Sequence, residues 1–328
     1  MNNRLLYIEL LQAFGVILVI LGHVFAPYIH VWYGYEFISS ISVRKLHGWI
    51  YSFHMPLFFF LSGYLFEYRQ GDNLKINRYI AKRFNRLVVP FIIFGVIFSV
   101  LIPLLTPTNI TIKKTFVDFF CLRWNGHLWF LLSLFLSLSI YALFNNLYKN
   151  KVFSIILLLV FVYIDNLRIN IVNRVIDNSL QNLLYVHIGA MCAMYRSDFK
   201  HLLFITIIIA LLNIVIVDFS FMFMYTTIAI SRILICFVIS YMIAVVFLNF
   251  IKFSIVNSIA KNMFGIYLCS DFLIFIMRNI LSEKINSNPI YSAVIILSFV
   301  IICSIFLIKL YKYMKIFLLN KCFVKKYA

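Results

Sequence analysis

Apolar runs of about 20 residues, the length a helix needs to cross a bilayer, recur from one end of this chain to the other. About ten are found, at 7–28, 48–66, 87–105, 128–147, 152–166, 180–195, 201–218, 225–248, 263–281 and 290–312. The longest polar stretches between them, 30–47, 67–86, 106–127 and 166–179, are too short to fold as separate domains. In lipid a spanning segment must satisfy its own backbone, and uninterrupted apolar runs of this length do so as helices. The pattern predicts an all-α polytopic membrane protein, a bundle of about ten transmembrane helices, in one membrane-embedded domain over 1–328.

The first run reads L-L-Y-I-E-L-L-Q-A-F-G-V-I-L-V-I-L-G-H-V-F-A-P-Y-I over 5–29. Its polar side chains, Glu9, Gln12 and His23, share one face. Glu9 sits one turn before Gln12, and the imidazole lies about 16 Å beyond the amide along the axis. Ionisable groups at membrane depth are costly and face a bundle interior or a wet cavity. The stripe therefore points at a site, and His23 is its most reactive group, able to serve as a general base near neutral pH. His54 falls early in the second run and His127 opens the fourth, which places all three imidazoles in the outer half of the membrane. Each has a plainer reading as a hydrogen-bonded structural histidine, which fits His23 least because its face carries two other polar groups.

Composition excludes a soluble domain, since the 328 residues are 64% hydrophobic and 12% charged. A net charge of +18 invites nucleic acid as a partner, but the distribution argues for a membrane instead. With an even number of spans and cytoplasmic termini, about 19 Lys and Arg fall inside and about 10 outside, the bias expected of cytoplasmic loops. The inside set includes Arg69, Lys75, Arg78, Lys82, Arg83 and Arg86 in one loop, and Lys309, Lys312, Lys315, Lys321, Lys325 and Lys326 at the tail, where attraction to anionic lipid suffices as an explanation. The six cysteines are scattered without metal-ligand spacing, and no disulfide framework or metal site is expected. Arg4 alone precedes the first span, which has no small-residue cleavage site and reads as a retained helix.

Other polar residues sit where chemistry needs them. Arg83 and Arg86, in K-R-F-N-R-L-V-V-P-F, share a face where the third span begins; guanidinium forks suit phosphate, although juxtamembrane arginines are common. F-H-M-P-L-F-F-F-L-S-G-Y (53–64) puts Pro56 and Gly63 inside a span, where a break beside His54 would open a cavity and a simple kink is the alternative. Ser270, Asp271 and Arg232 lie within late spans; an Asp271–Arg232 pair is one way to neutralise the buried charges. Trp32, Tyr33, Tyr35, His47 and Trp49 on the outer side are either interface anchors or a platform for a sugar.

Taken together and in order, these segments resemble the integral-membrane acyltransferase-3 family, which includes carbohydrate O-acetyltransferases. Glu9, Gln12 and His23 occupy the family's acidic, basic and histidine positions of the first helix. Residues 53–66 are similar to its second helix, Arg83 and Arg86 to its Arg-x-x-Arg, G-H-L-W-F-L (126–131) to its fourth-helix start, and N-M-F-G-I-Y-L (262–268) to its late G-I-Y-L segment. Two positions depart: the basic residue is Gln12, and the histidine that often follows G-I-Y-L is replaced by Ser270, with Asp271 next.

The resemblance implies a single acyltransferase domain in a multi-pass bacterial inner membrane protein, moving an acetyl group from cytoplasmic acetyl-CoA to a hydroxyl of a surface polysaccharide or lipid-linked glycan. It implies catalysis by His23, with Glu9 and His54; donor contacts from Arg83, Arg86 and Gln12; and acceptor contacts from His127, Trp129, Ser270 and Asp271. No further esterase-like domain is expected after the last span, so transfer would finish within the membrane domain. His23 would either deprotonate the hydroxyl or carry the acyl group itself. A glycan flippase without chemistry, and a transferase of succinyl or another acyl group, are the competing readings.

Overall fold

The computed structural model describes residues 6–26, 41–70, 74–105, 126–167, 174–194, 230–231, 233–236, 254–281 and 287–324. The described residues contain helices and no strand. In chain order these are α1 (Leu6–Phe25), α2 (Ile41–Tyr51), α3 (His54–Gln70), α4 (Ile76–Arg83), a π-helical turn (Phe84–Val88), α5 (Val89–Leu105) and a 3-10 turn (Gly126–Leu128). There follow α6 (Trp129–Leu143), α7 (Asn145–Tyr148), α8 (Lys151–Leu167), α9 (Arg174–Gln181), α10 (Leu183–Met194), α11 (Ser254–Ile280) and α12 (Pro289–Val324). The chain divides into two compact units, Met1–Tyr51 with Ala244–Ala328, and Ser52–Ile243.

Five stretches are long and apolar enough to cross a membrane: Tyr7–Phe25, Ile76–Ile102, Gly126–Leu143, Val256–Ile280 and Pro289–Tyr313. The other expected spans are shorter or lie elsewhere. The run at 48–66 is divided between α2, of 11 residues, and α3, of 17. The run at 152–166 is α8, also of 17 residues, and that at 180–195 is shared by α9 and α10. The runs at 201–218 and 225–248 lie outside the described residues, apart from short pieces of the second.

In the first unit α1, α11 and α12 pack together, with α2 against α1. The buried stripe of α12 (Ser292, Ile296, Val300, Ser304) repeats every four residues, the spacing of one helix face. Ile302, Phe306 and Tyr313 on its other sides are exposed, as a lipid-facing surface requires. The start of α12 is written in N-P-I-Y: the Asn288 side-chain oxygen accepts from the backbone N–H of Ile290 at 3.1 Å and Tyr291 at 3.3 Å, and Pro289 takes the first helical position, where no N–H is needed. Gly265 of the G-I-Y-L segment lets α12 approach α11, since a Cβ there would lie 2.5 Å from Ile308 Cδ1.

In the second unit the closest helix pair is α3 with α10. Gly63 and Gly189 make it possible: a Cβ on Gly63 would run into the Val186 carbonyl, and one on Gly189 into that of Phe60. Small residues that admit a neighbouring backbone are the usual means of membrane helix association. Gly63 is therefore a packing residue and makes no kink. Pro56 makes no break either. It is the third residue of α3, where the absent N–H costs nothing; the interruption falls just before, at Ser52–Phe53. The π turn has its own cause in Pro90, which cannot donate to the carbonyl of Arg86. Val89 N–H instead bonds back five residues, to Phe84.

Candidate functional site

His23 lies in the last turn of α1 with its side chain 19% exposed, and its Nδ1 is 3.3 Å from Oδ1 of Asp271, whose side chain is 2% exposed. An imidazole and a carboxylate in ion-pair range hold each other in place at a depth where either alone would be expensive. Seven residues further along the same face of α11, buried Arg278 donates to the carbonyl of Val24. That carbonyl belongs to the end of α1, where no intrahelical donor remains, and a cation there also suits the helix dipole. Two side chains of α11 thus fix two consecutive residues of α1. Tyr51, the last residue of α2, lies against the preceding residue: a Cβ on Gly22 would meet its ring at 2.9 Å. Tyr51 also stacks on His47, ring centroids 3.9 Å apart.

The neighbouring polar groups divide. Tyr267, one turn before Asp271, is buried within reach of its charge. Ser270 donates to the Tyr267 carbonyl at 2.9 Å, a bond within its own helix. Glu9 and Gln12 are half-buried further along α1 and make no hydrogen bond or ion pair with another described residue. Arg232, the partner considered for Asp271 from sequence, lies outside the described residues, and the carboxylate meets His23 instead.

The second unit holds the other candidates. His54 is buried at the first position of α3. His127 is half-buried in the 3-10 turn, its ring 5.0 Å from that of Phe98 on α5, and Trp129 packs edge-on to Phe130. Arg83 ends α4 with its guanidinium 4.9 Å from the ring centroid of Tyr79, in cation–π range. Arg86, inside the π turn, is exposed and feels the charges of Arg83 and Arg69. No carboxylate is among the described charges acting on it. Three clustered guanidinium groups with this balance form an anion-attracting surface.

A buried network that the sequence did not announce lies near Tyr79. Tyr148 reaches Glu67 at 3.0 Å and Asn145 at 2.7 Å, and burial, then Glu67, pushes its phenol well above the usual tyrosine range. Its ring stacks on Tyr141, whose hydroxyl is 2.9 Å from Nδ1 of His187. His187 Nε2 lies 3.3 Å from the Ser154 hydroxyl and 2.9 Å from the Ser154 carbonyl. A serine beside an imidazole suggests a nucleophile, but the bonding gives another answer. The carbonyl only accepts, so Nε2 carries the hydrogen, and Nδ1 accepts from Tyr141. An imidazole so committed has no lone pair for Ser154, and His187 is structural.

An all-helical membrane protein with an imidazole–carboxylate pair at membrane depth and a separate cationic cluster is equipped for acid–base chemistry on one substrate and anion binding of another. A family model described as an acyltransferase domain matches residues 5–309, and the chain belongs to the integral-membrane acyltransferase-3 family. No curated protein and no solved structure matches the chain.

Proposed function

We propose that this acyltransferase moves an acyl group, acetyl in the first instance, from coenzyme A to a hydroxyl of a cell-surface or lipid-linked glycan. The His23–Asp271 pair carries this reading. Acting as base, His23 takes the hydroxyl proton on Nε2; the oxygen attacks the thioester carbonyl, the C–O bond forms and the C–S bond breaks. The leaving thiolate takes the proton back, so free coenzyme A and the glycan ester are the products. Acting as carrier, Nε2 itself holds the acyl group between two such steps.

Arg83 and Arg86, with Arg69 beside them, suit the phosphates of the coenzyme. Glu9 and Gln12 serve as a polar relay along α1, His54 assists the transfer, and His127, Trp129 and Ser270 contact the acceptor. The protein sits in the bacterial inner membrane with both termini in the cytoplasm, as the basic inner loops favour.

The test uses sealed membrane vesicles containing the protein and its host glycan, supplied externally with radiolabelled acetyl-CoA. Inside-out vesicles should incorporate base-labile label into glycan, and right-side-out vesicles should not. Labelling in the opposite orientation refutes the topology. Absence of labelling in both, with glycan crossing the membrane unmodified, favours a flippase; labelling only from succinyl-CoA changes the acyl group.

A further inference from the structure

The reading above gives Asp271 no more than a place among the acceptor contacts, and its position argues for a different task. Its side chain is 2% exposed, leaving little surface for a glycan hydroxyl, and Oδ1 is 3.3 Å from Nδ1 of His23. Ser270, which stands where relatives often carry a histidine, is turned back onto the Tyr267 carbonyl. Asp271, one position on, is the residue of this turn that meets α1.

We propose that Asp271 is a positioning residue for the acyl transfer: its carboxylate keeps the hydrogen of His23 on Nδ1 and leaves Nε2 bare toward the reacting groups. A neutral imidazole has one donor and one acceptor nitrogen, and the bond made by the first decides which is free. A carboxylate accepts only, so an imidazole facing it must present N–H. When Nε2 takes a proton in the reaction, the buried carboxylate also offsets the positive charge that forms.

The surroundings are consistent with this division of labour. From α11 the charged and titratable groups nearby are Asp271, Tyr267 and Arg278, the last engaged by Val24. From α2 they are His47 and Tyr51, stacked on each other. The buried stripe of α12 contributes Ser292, Ile296, Val300 and Ser304, none of them ionisable. Asp271 is the carboxylate among them.

The inference rests on the proposed transfer and is tested so that the two can fail separately. Protein labelled with 15N-histidine is placed in lipid nanodiscs; His23→Asn identifies the His23 signals, and nitrogen shifts report which ring nitrogen bears hydrogen. Wild type should show hydrogen on Nδ1. Asp271→Asn, nearly identical in shape, can donate as well as accept, and should move a large share of the hydrogen to Nε2. In the labelled-acetyl assay the same variant should lose at least about tenfold in kcat, within the range of lost acid–base catalysis, with KM for acetyl-CoA unchanged. Asp271→Glu should restore the tautomer and part of the rate. A tautomer unaffected by Asp271→Asn, or a variant of full kcat, overturns the positioning role; a raised acceptor KM with kcat intact returns Asp271 to the acceptor contacts. A wild type with hydrogen on Nδ1 that transfers no acyl group to any glycan supports the pairing and refutes the transfer.

Discussion

Residues of one type do different work here according to what surrounds them. His23 meets a carboxylate, whereas His187 is committed at both nitrogens to Tyr141 and Ser154. The same reasoning separates the arginines. Arg278 is buried and engaged by a helix end, while Arg86 is exposed among like charges. Replacing Arg83 or Arg86 by Ala should weaken use of acetyl-CoA about tenfold to a hundredfold, the effect of losing a charge-assisted bond worth roughly 1.5–3 kcal/mol. The measurement is the apparent affinity for acetyl-CoA at constant membrane level. Arg83→Lys should rescue only in part, because an ammonium lacks the planar fork that lies over Tyr79. Unaltered saturation in both Ala variants would leave these arginines as topology signals alone.

At the scale of elements, the glycines give a clean contrast. A side chain at Gly63 meets the Val186 backbone, which cannot swing aside, whereas one at Gly126 meets nothing within 4 Å. Gly63→Leu should therefore part α3 from α10, lowering the melting temperature of the purified protein and its yield in the membrane; overpacking of this kind costs about 1–3 kcal/mol or more. Gly126→Ala should melt as wild type does. Equal melting of Gly63→Leu and wild type would show that the α3–α10 contact adds nothing to stability.

The elements also show what the sequence can and cannot carry. Apolar run length locates α1, α6, α11 and α12, because spanning helices must be long and apolar whatever they pack against. It does not reveal the interruption at Ser52–Phe53, since that run stays apolar throughout. Nor does it mark the π turn, which follows from one missing N–H at Pro90. The polar face of α1 singles out His23 by periodicity, but its partner arrives from a segment about 250 residues away, a distance over which helical periodicity carries no information. The seven-residue spacing of Asp271 and Arg278 in an otherwise apolar helix is the one local sign of that partnership.

For the whole molecule, the match over residues 5–309 makes this an acyltransferase, and the exposed apolar faces of α5, α8 and α12 suit a lipid surround. The central claim is that His23 performs the transfer. It is tested most directly by the labelled acetyl incorporated into glycan per molecule of membrane-inserted protein, wild type against His23→Asn, with coenzyme A binding measured on the same samples. Loss of a general base typically costs about 10²–10⁴ in rate. The account predicts that incorporation by His23→Asn falls at least that far while coenzyme A still binds. Incorporation near the wild-type rate in His23→Asn would contradict it.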